Sequence, residues 1–349
     1  MIKKFFFPAL LTISIISLTI SSCSSRPNGY DFIRNKDSLD IILDRYVDEG
    51  LDPVIYARLE NLDGDVLYEH SAVNRNLLPL VDINGQTWFR IWSMSKIITI
   101  TIALDLVEDG ILDLNDPVTK YIPEFENLKV AVSKDGKVLS EIKIDDPALS
   151  ISKAMTEEAC PFKLVSTDSL MTVLHLLNHE AGFYYATTNI YCLDSLLATK
   201  NLPTAKNSQE LIDLLAEMPL IQHPGTKHFY GTNTTVLGLV AERATGKSLK
   251  QLVEERLTKP LGINGLQYGL PPHTTLLPTF SAKDTILRTA KPEELDIFGP
   301  DVPDYDLNHE LYFGGEGMLA TADGYADFLR MLLNRGTLNG KRFLEKATV

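Results

Sequence analysis

From Ser38 to Glu49 the apolar residues Leu39, Ile41, Ile42, Leu43, Tyr46 and Val47 recur at helical spacing, with Ser38 placed to cap them. Alternation then takes over. Pro53–Leu59 reads as a strand, Asp63-Gly64 as a hairpin turn and Val66–Tyr68 as the return strand. From about Ser93 to Asp109 apolar residues cover most faces of a predicted helix (Ile97, Ile98, Ile100, Ile102, Leu104, Leu106, Val107) that Gly110 ends. Such a helix belongs in a core rather than on a surface. Lys129–Ile144 reads as a second hairpin turning at Asp135-Gly136, and Ser169–Asn178 as a helix. Residues 207–218 and 232–258 give two further helical patterns, the second broken at Thr245-Gly246. The stretch 268–310 is rich in Pro, Asp and Thr and lacks periodicity, the pattern of a functional surface loop or lid. A tight turn at Gly314-Gly315-Glu316-Gly317 precedes a last helix, Asp323–Leu333. Strands early and helices in the middle predict an α/β (α+β) chain: an antiparallel sheet flanked by helices, plus a helical lobe, with a cleft between them.

The start of the chain breaks this pattern. Lys3 and Lys4 precede an apolar run, Phe5–Ile20, that is short for a bilayer span and reads as a signal peptide. Ile20-Ser21-Ser22-Cys23 resembles a bacterial lipobox, which makes Cys23 the lipidated first residue of the mature protein. The expected organisation is a signal peptide over 1–22, a polar tether over 23–36 and one domain over 37–349. The protein is then secreted and lipid-anchored to a bacterial membrane. In an oxidising compartment Cys160 and Cys192, the two remaining cysteines, either pair or stay as buried thiols.

The 349 residues carry a net charge of −13 with no basic stripe, which argues against a nucleic-acid partner. No C-x-x-C or His/Cys cluster supports a metal site, and no cofactor is implied. His175 and His179 lie four apart but lack the glutamate of H-E-x-x-H. His223 and His228 read as polar loop residues flanking Tyr230.

Ser93-Met94-Ser95-Lys96 carries the candidate chemistry. A serine hydroxyl needs a neighbouring base, and residues three apart share one helix face, so Lys96 can reach Ser93 Oγ. A lysine is a base only when neutral, a state that burial and a helix N-terminus both favour. Ser95, one residue from Lys96, sits on a different face.

Several motifs follow in order. Thr87–Lys96 looks like the nucleophile segment of class C β-lactamases and related esterases. His175–Phe183 is similar to a conserved stretch of that family. Pro224-Gly225-Thr226 with Tyr230-Gly231-Thr232 resembles the region of its Tyr-x-Asn motif. Gly238–Glu242, Thr245–Ser248, Pro260-Leu261-Gly262 and Gly315–Ala322 recur in the family's order. From about residue 40 onward the chain resembles the β-lactamase and penicillin-binding-protein group of serine hydrolases, which includes esterases and D-Ala-D-Ala peptidases.

The resemblance implies a β-lactamase/transpeptidase-like fold and a serine acylated during turnover: Ser93 as nucleophile, Lys96 as its proton partner, and Tyr230 as a second base that protonates the leaving group. The substrate would be a small ester, a β-lactam or a D-amino-acid (cell-wall) peptide. The Asn of Tyr-x-Asn falls at Thr232 with Asn233 beside it, so these two stand as the candidate substrate-binding residues. A third motif, Lys-Thr-Gly or His-x-Gly, is expected after the glycine-rich turn. Lys134-Asp135-Gly136 and His223-Pro224-Gly225 fit its letters in the wrong order. The expectation is therefore a domain lacking its late strands, with an unpaired sheet edge, uncovered apolar faces and little activity. The rival expectation is a non-catalytic, membrane-tethered cell-wall or ligand-binding protein of the same fold.

Overall fold

The computed structural model describes residues 36–141, 162–185, 191–282, 285–291, 294 and 309–349, with 191 and 192 described as backbone only. The signal peptide, the tether, Cys23, Cys160 and the side chain of Cys192 lie outside the described residues.

Helix α1 (Lys36–Asp48) packs on an antiparallel hairpin of β1 (Val54–Glu60) and β2 (Val66–Val73). Val54 pairs with Val73 at one end and Glu60 with Val66 at the other, across a register shift at Leu59/Glu60. The turn is held by Asn61, whose Oδ1 accepts from the amides of Asp63 and Asp65, while Gly64 takes the left-handed conformation at φ +90°. Tyr68 on β2 donates to Asp40 of α1 at 2.8 Å, and His70 meets Asp44 at 2.8 Å.

Strand β3 (Phe89–Arg90) leads through a 3₁₀ turn, Trp92–Met94, into α2 (Ser95–Glu108). The predicted helix thus starts two residues late. Trp92 adopts φ +42°, and the Ser95 hydroxyl accepts from the Met318 amide at 3.1 Å, so the chain enters the helix from a fixed kink. Ile98, Ile102 and Leu106 of α2 are fully buried against the helix Asn233–Thr245.

The predicted second hairpin is corrected. Strand β4 (Lys129–Ser133) does turn at Asp135-Gly136, with Val132 bridging Val138, but Leu139–Glu141 coils into a 3₁₀ turn. The partner along the whole of β4 is β5 (Phe162–Ser166), from Lys129↔Ser166 to Ser133↔Phe162. The predicted Ser169–Asn178 helix shortens to Val173–Leu177, because Thr172 caps it in a reciprocal box with His175. The pattern at 207–218 becomes the helix Ser208–Ala216 behind an Asn207 cap, and the 232–258 pattern breaks at Gly246 (φ +68°) as expected.

Further short strands follow. β6 (Leu266–Tyr268) is followed by the small ribbon of β7 (Phe280–Ser281) and β8 (Arg288–Thr289), in a region expected to lack elements. β9 (Met318–Ala320) lies between β3 and β6, antiparallel to both, and Thr321 caps the helix Ala322–Leu333. Among the described residues β1 pairs with β2 alone. Between β1 and the Ala322–Leu333 helix runs a groove of 1190 Å³ lined by Tyr56, Phe89, Ile91, Met94, Tyr325 and Leu329, among others. The strands among the described residues pair antiparallel throughout, as expected.

Candidate active site

Ser93 lies in the 3₁₀ turn and is exposed; just past that turn, Ser95 and Lys96 are buried. Lys96 Nζ reaches Ser93 Oγ at 3.1 Å and the carbonyl of Gly315 at 2.8 Å. From the opposite wall the Tyr230 hydroxyl donates to Ser93 Oγ at 2.8 Å. Lys96 Nζ also sits 5.0 Å from the centre of the Tyr230 ring. The three residues expected to act together are thus brought to one atom. Ser95, the competing serine, is fully buried and its oxygen holds β9.

Tyr230 is held from behind. His179, in the left-handed conformation at φ +55°, stacks on it with ring centres 5.1 Å apart and planes 16° from parallel. His179 Nδ1 accepts from the Gly231 amide at 3.5 Å, and Nε2 meets Thr234 Oγ1 at 3.2 Å. Burial, aided by the nearby charges of Lys96 and His228, lowers its pKa to about 4, so the ring is neutral at neutral pH. Gly231 admits no side chain: a Cβ there would lie 2.1 Å from the Phe183 carbonyl oxygen.

The far side of Lys96 is closed by the Gly314–Gly317 turn. Thr99 Oγ1 donates to the Gly314 carbonyl at 2.7 Å, and Thr235 Oγ1 accepts from the Gly315 amide at 3.2 Å. A Cβ on Gly315 would meet Thr235 Oγ1 at 2.8 Å and Lys96 Nζ at 3.4 Å, so the lysine's carbonyl acceptor depends on glycine. Glu316 is buried with its carboxylate 3.9 Å from Lys96 Nζ. It accepts from Thr235 Oγ1 at 3.2 Å and from the Tyr185 hydroxyl at 3.4 Å. Burial raises its pKa to about 7 against the lowering effect of Lys96. The same burial, with the Glu316 charge beside it, raises the Tyr185 phenol.

The two candidate substrate-binding residues are not presented to the cleft. Thr232 is buried at the entry to the Asn233–Thr245 helix. Asn233 is fully buried, its amide near His179 Nδ1 at 3.3 Å and the carbonyls of Phe183 and Phe229 at 3.4 Å. The first helical turn rotates Asn233 inward, so its role is to hold the wall that carries Tyr230. His175 belongs to a helix cap, and His223 pairs with Asp168 at 3.0 Å. Among the described residues no group of three or more His, Cys, Asp or Glu converges to hold a metal.

Sequence reasoning read Glu316 only as part of a turn and did not single out Tyr185 or Thr235. A glutamate set between Gly315, Gly317 and the apolar Met318-Leu319-Ala320 was the available signal, since a glutamate is buried only where it finds a partner.

Residues 60–349 match the profile of the Beta-lactamase family. The ML-236A carboxylate methylbutanoyltransferase of Penicillium citrinum is 25% identical over 303 residues, 85% of this chain and 63% of that protein. The lovastatin esterase of Penicillium rubens is 29% identical over 252 residues, 70% of this chain and 55% of that protein. The chain therefore spans less than two thirds of the length of either relative. The unliganded simvastatin synthase (LovD) of Aspergillus terreus superimposes with a TM-score of 0.64 at 21% identity, over 90% of this chain and 71% of that one. This likeness shows a β-lactamase/transpeptidase-like fold. With the family profile covering most of its length, the chain belongs to the Beta-lactamase family.

Proposed function

We propose that this protein is a serine acyl hydrolase or acyltransferase acting on small esters through an acyl-enzyme at Ser93. The observation that carries the reading is the convergence of Lys96 Nζ and Tyr230 OH on Ser93 Oγ, at 3.1 and 2.8 Å.

In the acylation step Ser93 Oγ forms a bond to the ester carbonyl carbon and passes its proton to the neutral Lys96 amine, whose contact then runs in the direction drawn by the structure. The carbonyl becomes an oxyanion beside the amide-rich start of α2. Collapse breaks the bond to the leaving alkoxide, which takes a proton from Tyr230; the phenolate is in turn reprotonated from Lys96. Water or an acceptor alcohol then reverses the sequence on the acyl-enzyme. Small esters are favoured over β-lactams or peptides because Thr232 and Asn233 are buried and leave the amide-recognition position of Tyr-x-Asn without an exposed asparagine. The relatives' names, one an esterase and one an acyltransferase, agree with this choice.

The test is a fluorophosphonate probe together with p-nitrophenyl esters, with and without an added alcohol. Ser93 should be labelled, ester cleavage should vanish in Ser93→Ala, and added alcohol should divert acyl groups to a new ester. A wild type that neither labels at Ser93 nor cleaves any ester would leave the binding-protein reading in its place. We further propose that Cys23 carries lipid on the secreted protein. Wild type should partition into detergent and Cys23→Ala into buffer; wild type recovered in buffer with an N-terminus elsewhere would overturn this.

A further inference from the structure

We infer that Glu316 is a positioning residue which, acting through Lys96, sets the pH range over which Ser93 can be acylated. The inference rests on the Ser93 reading above and deepens it.

The geometry is specific to this carboxylate. Glu316 is buried beside α2 and the Asn233–Thr245 helix, its carboxylate 3.9 Å from Lys96 Nζ, while Ser93 Oγ lies 3.1 Å from the same nitrogen. Thr235 and Tyr185 each give the carboxylate one hydrogen bond, which fixes its direction towards the amine. The titratable groups facing it are Lys96 on α2, Tyr185 in the loop after Leu177, and Tyr268 on β6, which feels its charge. The Tyr230 ring centre lies 5.0 Å from Lys96 Nζ. Among the described residues Glu316 is the one carboxylate within ion-pair distance of Lys96.

The consequence is electrostatic. An ionised carboxylate this close in a buried setting stabilises the ammonium form of Lys96 and so opposes its work as a base; a protonated one does not. Glu316 changes between these states near pH 7, since burial holds its proton that far above the ordinary carboxyl range. Below that point Lys96 has a neutral neighbour. Above it, Lys96 acquires a counter-charge 3.9 Å away.

The experiment measures the rate of fluorophosphonate attack on Ser93, and of p-nitrophenyl ester cleavage, from pH 5.5 to 9 in wild type and Glu316→Gln. Glutamine keeps the size and can keep the bonds to Thr235 and Tyr185, but carries no charge. The ratio of variant to wild-type rate should rise through pH 7 by roughly tenfold, the equivalent of one pH unit. Glu316→Asp should restore a pH-dependent ratio, with its inflection moved. Tyr185→Phe removes a donor to the carboxylate, so the wild-type inflection should move to higher pH; this arm holds even if Glu316→Gln fails to fold. A ratio that is constant or falls with pH, or an inflection unmoved in Tyr185→Phe, overturns the inference, because a purely structural role scales the rate equally at every pH. If wild-type Ser93 is not labelled at all, the functional reading falls and takes this inference with it; labelling with a flat ratio removes this inference alone.

Discussion

The imidazole of His179 lies against the ring of Tyr230, centres 5.1 Å apart and planes within 16° of parallel, so a buried neutral histidine braces the residue that donates to Ser93. Because the same imidazole also meets the Gly231 amide and Thr234, its protonation would disturb the stack, the loop and the start of the helix together.

That arrangement predicts a particular acid sensitivity. The folded pKa of about 4 lies below the ordinary 6.5, so the contribution of His179 to stability is full above pH 6.5 and is lost as pH falls through 4. The loss amounts to about 3 kcal/mol at its limit. Denaturant melts between pH 7.5 and 4.5 should therefore show wild type losing more stability than His179→Gln, whatever the variant's starting value. Parallel curves for the two proteins would refute the assignment.

Gly231 carries the next expectation. Its neighbour Tyr230 reaches Ser93 only because the backbone at 231 lies against Phe183 and Tyr184. Gly231→Ala must push that backbone away, at a cost of about 3 kcal/mol or more, and must carry the Tyr230 hydroxyl off Ser93. Both the melting temperature and the Ser93 labelling rate should drop. A variant that melts like wild type and labels at the wild-type rate would show the contact to be slack.

The Ser93/Lys96/Tyr230 group should behave as one unit. Ser93→Ala removes labelling altogether, while Lys96→Ala and Tyr230→Phe should each slow it by roughly a hundredfold to ten-thousandfold. The double variant should be little worse than the poorer single, because residues acting on one proton are not additive. Full additivity in the double variant would mean that Lys96 and Tyr230 serve separate steps.

What could be read from the sequence follows the range of the interactions. Ser93 and Lys96 were legible because a three-residue offset sets one turn of helix, whatever the rest of the chain does. Tyr230 was legible through the order of motifs. Glu316 was not, since it is buried beside α2 and the Asn233–Thr245 helix, which approach from two distant parts of the sequence. The partner of β4 was missed for a similar reason: Asp135-Gly136 does make its local turn and Val132 bridges Val138, yet the longer pairing is with β5, which begins 29 residues after Ser133. Asn233 illustrates direction rather than distance. One residue's offset from Thr232 already points its side chain elsewhere, and the observed helix start shows where: the amide turns inward to His179.

The buried carboxylate predicts a pH dependence of stability separate from its effect on rate. The folded pKa of Glu316, about 7, stands above the ordinary 4.5, so its favourable contribution is complete below pH 4.5 and disappears as pH rises through 7. Above that point the fold must hold a charge it would rather shed, at a cost of about 3 kcal/mol relative to acid conditions. Lys96 is already counted in this balance, since its charge lowers the value that burial alone would give. Glu316→Gln has no proton to lose. Its stability relative to wild type should therefore climb between pH 5 and 8, the opposite trend in pH to that of His179→Gln, which gains on wild type as pH falls. Chemical denaturation of both variants across pH 4.5 to 8.5 reads the two slopes side by side. A Glu316→Gln difference that stays level or declines over that range would show that Glu316 is ionised well below neutral pH and that the cluster around Lys96 is a simple ion pair.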